Sequence, residues 1–239
     1  MNRWIEHGTL RKVSVIVLLF LPASLLLSQN ASTETPPPAA PVDTERILGV
    51  IPNYQTVTDP HKAATPLTVK QKFELFAKET IDPFTAGAAV AGAALSQSDN
   101  DAPKYGHGSG PYAERFGAAV ADVTTQNFFS DAVMSSLLHE DPRYFRLGAE
   151  YHFWHRLGYS LSRVAITRTD AGKDRFNYSG VIGMSMGIAL SNAYYPASSV
   201  NGTEVASRFG TSLVSSALSN ILPEFWPDIR QKLRRKPKP

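Results

Sequence analysis

The densest group of reactive side chain types in this chain is the run His139-Glu140-Asp141, followed two residues on by Arg143. An imidazole oriented by a carboxylate can act as a general base, and a neighbouring guanidinium can hold an oxyanion or a phosphate. On that reading His139, Asp141 and Arg143 would form the centre of a hydrolase. The same run also reads as a turn. Pro142 stops a helix, Asp141 is placed to cap backbone amides, and arginines pair readily with acids. The turn is the expectation, and the chain leans away from an enzyme. His152 and His155 are three apart, a spacing that puts two ligands on one helix face. The run lacks the H-E-x-x-H pattern, so neither a metal nor a cofactor is expected. Asp122 lies in the apolar stretch Ala118–Val123 and needs a partner if buried. Arg115, Arg156 and Arg163 are its predicted partners, as structural polar residues.

Other chemistries are excluded by composition. The 239 residues contain no cysteine, which removes disulfides, thiolate metal sites and thiol nucleophiles. Gly106-His107-Gly108-Ser109-Gly110 is glycine-rich but lacks the lysine and hydroxyl residue of a phosphate loop, and no G-x-S-x-G elbow occurs.

The elements that would position these residues read as helices. Thr68 is a good N-cap for an amphipathic segment with Phe73, Phe76 and Ala77 on one face. Asp82-Pro83 opens a second helix, and Tyr112 to about Leu138 reads as a long third. Three more cover Trp154–Ile166, Tyr178–Tyr195 and Glu204–Leu222, with Pro223 and Pro227 ending the last. Small residues recur in these segments. Gly87, Gly92, Gly117, Gly180, Gly183, Gly187 and Gly210 are predicted to let helix backbones approach. The fold class is all-α: a compact bundle of about six helices with Gly/Ala/Ser-rich packing faces. One rival exists. Over Val181–Leu190 bulky and small residues alternate strictly, as in a strand of a small outer-membrane β-barrel.

The chain organises into four parts. Residues 1–28 have a basic start followed by the apolar run Val13–Leu27, the layout of a signal peptide. Residues 29–45 are a Pro-rich linker, 46–228 the helical envelope domain, and 229–239 a basic tail with six Lys and Arg and no acid. The net charge of +3 therefore resides at the ends. A nucleic-acid partner would call for basic residues spread over the fold, so none is expected.

The strings Leu137-Leu138-His139-Glu140-Asp141-Pro142-Arg143-Tyr144-Phe145-Arg146, Asp82-Pro83-Phe84, Tyr112-Ala113-Glu114-Arg115-Phe116-Gly117, Ser191-Asn192-Ala193-Tyr194-Tyr195-Pro196 and Glu224-Phe225-Trp226-Pro227-Asp228 resemble a family of uncharacterised, signal-bearing bacterial envelope proteins. The likeness covers roughly Arg46–Asp228 and implies export, to the periplasm or an envelope membrane, with no named activity. The expected role is structural or interactive. Partners would be anionic membrane lipid, drawn by the basic tail, or other envelope proteins, and an oligomer is compatible with the small-residue faces.

Overall fold

Thr68 opens the first helix with a reciprocal cap. Its hydroxyl accepts from the Gln71 amide at 3.3 Å while Gln71 Oε1 accepts from the Thr68 amide at 2.9 Å. In the computed structural model this helix, α1, spans Val69–Thr80. The structure describes residues 46–59, 64–98 and 103–234, all within the unit Pro38–Pro239. The predicted signal 1–28, the linker 29–45 and the tail's last five residues, 235–239, lie outside the described residues.

The fold is all-α, with a few short strands at one place. Helix α2 covers Pro83–Ser98 and α3 covers Ser109–Asn127. The chain then passes, still helical, through a π-helical turn, Phe128–Met134, into the short α4, Ser135–Leu138. After α5 (Phe153–Ser162) come α6 (Tyr178–Ser191), α7 (Gly202–Ser219) and α8 (Ile221–Arg234). No helix among the described residues is long and apolar enough to cross a membrane.

The strands are β1 (Thr56–Val57), β2 (Glu140–Asp141), β3 (Tyr144–Phe145), β4 (Ile166–Thr169) and β5 (Asp174–Phe176). An N-terminal arm brings β1 alongside β3 in parallel, Thr56 opposite Tyr144. Strand β2 joins the β4–β5 hairpin antiparallel, with Asp141 opposite Arg168. The hairpin fills the stretch between the predicted helices Trp154–Ile166 and Tyr178–Tyr195, and Gly172 supplies its left-handed residue at φ 79°.

The core forms where α6 lies on α3 and the π-helical turn, while α1 closes the other side through Phe73 and Phe76 on Phe128, ring centroids 6.3 and 5.5 Å apart. The buried residues of α6 are Ser179, Gly183, Met184, Gly187, Ile188 and Ser191. Their spacing is helical, so the alternation over 181–190 belongs to a helix and the barrel reading is overturned.

Two further expectations are corrected. Pro223 and Pro227 do not end the last helix: α8 runs through both to Arg234. Pro223 sits in the first turn, where an amide has no helical acceptor to lose. The seven predicted packing glycines also divide. A Cβ at Gly183 would meet the Ser130 backbone, one at Gly187 would meet Gln126, and one at Gly180 its own cap Asn177. At Gly87, Gly92, Gly117 and Gly210 a Cβ would meet nothing within 4 Å. Close approach is therefore confined to α6, because α2, α3 and α7 turn those glycines to open space.

Candidate functional site

The His139–Arg146 segment is a hub of internal pairing. Leu138 is followed by His139 in the left-handed conformation (φ 54°), which ends α4 and turns the imidazole outward, its side chain 84% exposed. Its nearest acid is Asp170, with Nδ1 3.9 Å from Oδ2. Asp141 is instead saturated by Arg143, whose Nε and Nη2 donate at 2.9 and 2.6 Å while the Arg143 amide donates at 3.0 Å. Neither carboxylate of the run stands behind the imidazole. Glu140 accepts from Arg175 Nε at 2.6 Å and from the Ser179 amide at 2.7 Å, so it fixes the hairpin to the start of α6. Lys72 of α1 is buried. Its ammonium donates to Asp170 and to the carbonyls of Ser135 and Glu140.

Downstream, the hub reaches α8. Arg156 Nε donates to Glu224 Oε1 at 2.7 Å, Tyr144 Oη donates to Oε2 at 2.8 Å, and Arg146 Nη2 meets Asp228 at 2.9 Å. Glu224 and Asp228 are one turn apart on α8, which is why the Glu-Phe-Trp-Pro-Asp string closes on the Arg-Tyr-Phe-Arg string.

The predicted partners of Asp122 are elsewhere. Arg156 serves Glu224, Arg163 pairs with Asp174 at 3.2 Å, and Arg115 donates to Ser96 Oγ and to the carbonyls of Pro103 and Gly106. Asp122 instead accepts from the hydroxyls of Tyr194 and Tyr195, each at 2.5 Å. Burial raises its titration, and these two hydrogen bonds hold it back. His152 is the extended N-cap of α5, outside the helix that was to align it with His155, and His155 stacks edgewise on Tyr151 at 5.1 Å. Among the described residues no group of three His, Asp or Glu side chains is gathered as metal ligands.

Part of what the pairing leaves unspent lies in one cleft. It encloses about 430 Å³ and is walled by the arm, the end of α1, the π-helical turn, the start of α6 and the α7–α8 corner. Glu79 and Asp131 are its two acids. Three buried polar atoms on its wall residues have no hydrogen-bond partner: Glu79 Oε2, Gln55 Nε2 and Nη1 of Arg143, whose side chain is 1% exposed. Unsatisfied buried groups are rare and costly, and each calls for an explanation, a bound ligand among them. Burial raises Glu79 well above the usual carboxylate range, and the charge of Asp131 pushes it further. Burial also raises Asp131 from 3.8 to about 6, partly offset by the Ser130 hydroxyl at 2.8 Å and by nearby Gln55, whose Nε2 falls outside hydrogen-bond geometry.

The sign of the pH effect follows. The folded chain holds the Asp131 proton to higher pH than the unfolded chain. The associated stability is therefore full below the unfolded value and declines as pH rises from about 4 through about 6. Asp131→Asn should match wild type near pH 4 and exceed it by about 2 kcal/mol near pH 7.5. Thermal denaturation of both at the two pH values is the check; equal gaps at both would refute it.

Sequence reasoning missed both acids. Glu79 left a trace: it stands in the last turn of α1, where the helix dipole disfavours an anion. Asp131, in Phe128-Phe129-Ser130-Asp131-Ala132-Val133, is a lone acid in an apolar run, the signal that picked out Asp122. No protein-family model, no curated protein and no solved structure matches the chain.

Proposed function

We propose that this is an exported cell-envelope protein with an interaction role, and that it takes a small polar ligand in the Glu79–Asp131 cleft. One observation carries the ligand reading: unspent hydrogen-bonding capacity of both signs, from Glu79, Gln55 and Arg143, is collected on the wall of one cleft. The volume falls in the range of small-molecule sites. Two carboxylates that resist ionisation gain from an ammonium or from hydroxyl donors, and the guanidinium gains from an oxygen acceptor. An amino sugar or a short zwitterionic peptide has that combination. Export rests on the signal-like 1–28 and on the resemblance carried by the five strings.

A hydrolytic reading has better candidates in Glu79 and Asp131 than in His139. Two carboxyl groups on one cleft, one to donate a proton and one to stay ionised, are the equipment of glycosidic bond cleavage.

The test uses the processed chain. Cells expressing the full sequence are fractionated, and the N-terminus of the envelope form is read by mass spectrometry. That form is titrated calorimetrically with glucosamine, alanyl-alanine and glucose. The expectation is cleavage after Ser28 or Ala31, binding of the two amine-bearing probes, and at least a ten-fold loss in Glu79→Gln/Asp131→Asn. An unprocessed cytosolic chain would overturn export. Equal binding by the double variant, or no binding of either amine, would overturn the cleft.

A further inference from the structure

Helices α5 and α8 leave a band of large apolar side chains in water. Trp154 is 77% exposed and Leu233 72%, with Phe153 and Ile229 also exposed. The four belong to one surface. Phe153 packs on Phe225, ring centroids 5.1 Å apart, and Phe225, Ile229 and Leu233 follow one another at four-residue intervals along α8. The adjoining face of that helix, about 100° round the axis, carries Glu224 and Asp228 into the buried ion pairs. The helix is thus anchored on one side and apolar on another.

Charge distinguishes this band from a plain hydrophobic patch. Lys232 is exposed next to Leu233, Arg230 precedes it, and Arg234, Arg235, Lys236 and Lys238 follow in the sequence, with no acid after Asp228. Aromatic residues at one end, a leucine and isoleucine along the helix and a run of cations at the other end are what an interfacial helix presents to an anionic bilayer. Tryptophan also favours the headgroup level, where its ring is half wet.

We infer that the α5–α8 face docks peripherally on an anionic lipid surface, with Trp154 and Leu233 entering the headgroup region and the basic end of α8 supplying the attraction. This deepens the envelope reading by naming a surface. It is independent of the cleft, so loss of lipid binding would leave the ligand titration unaffected.

The experiment mixes the processed chain with vesicles of phosphatidylcholine alone and of phosphatidylcholine with phosphatidylglycerol, and reads co-sedimentation and tryptophan emission. Binding is expected only to the anionic vesicles, with a blue shift of emission that Trp154→Phe removes, and it should weaken as salt is raised. Trp154→Ser/Leu233→Ser changes exposed positions, so circular dichroism and the melting temperature should stay at wild-type values while partitioning falls more than about ten-fold. Lys232→Gln/Lys236→Gln/Lys238→Gln should cause a loss of about a hundred-fold, since each cation near the surface is worth about five-fold. Equal binding to neutral vesicles, no binding at all, or unchanged binding by the Trp154/Leu233 variant would overturn the inference. So would light scattering that shows a dimer whose formation the Trp154/Leu233 variant abolishes.

Discussion

Glu224→Ala is expected to destabilise the domain by about 4 kcal/mol, the largest effect of any single truncation in the buried pairs. Glu224 is completely buried. Its carboxylate accepts from Arg156 Nε, from Tyr144 Oη and from the Leu147 amide at 2.9 Å, while its carbonyl accepts from Arg146 and Arg156. Truncation leaves the carbonyl in place but removes the anion. Two buried guanidiniums then face Asp228 alone, and a phenol and an amide lose their acceptor. An uncompensated buried charge costs far more than the intact pair contributes, because the desolvation penalty is no longer offset. The melting temperature should fall by about 10 °C. Asp228→Ala, at the more open end of the cluster, should cost less than half of that. A drop below about 1 kcal/mol for Glu224→Ala would show that water reaches the arginines and that the pairing is not what holds α8.

Gly183→Ala is expected to cost about 3 kcal/mol or more by the opposite mechanism, overfilling. A methyl there would lie 2.3 Å from the Ser130 amide nitrogen and 2.4 Å from its Cα. Both are backbone atoms of the π-helical turn, which cannot swing away as a flexible side chain end can. Helix α6 would have to lift off α3 and the turn, the contact that makes the core. Gly87→Ala and Gly117→Ala are the controls. Their new methyls meet open space, so alanine's helix propensity should stabilise each by up to about 1 kcal/mol. Chemical denaturation of the three variants reads this directly. A Gly183→Ala protein as stable as the controls would mean that α6 is not seated on the turn.

These two cases also show how far the sequence could be read. Local rules were legible: the Thr68 cap and the Asp82 cap, which accepts from the Phe84 amide at 2.8 Å, both act within a few residues. The all-α class followed from such signals and from periodicity. Pairing across the chain was not legible. Nothing near Asp122 indicates that tyrosines 72 and 73 residues away would serve it rather than an arginine. Glycine spacing named the right kind of contact but could not say which helix would have a neighbour, so only α6 justified it. The π-helical turn has no signature of its own in Phe128–Met134, and its backbone lies against Gly183 of α6. The cleft was invisible for the same reason: its acids come from α1 and from that turn, and only the fold brings them to one wall.

The pairing of Glu224 and Asp228 with Arg146 and Arg156 has a mechanical consequence for α8. Two acids a turn apart, each gripped by a guanidinium from a different element, fix the helix in azimuth as well as in position. Rotation by one residue, about 100°, would pull both carboxylates off their partners together. The helix therefore behaves as a keyed spindle, stiff in torsion, and the direction in which its far end faces is decided by the same four side chains that hold its near end.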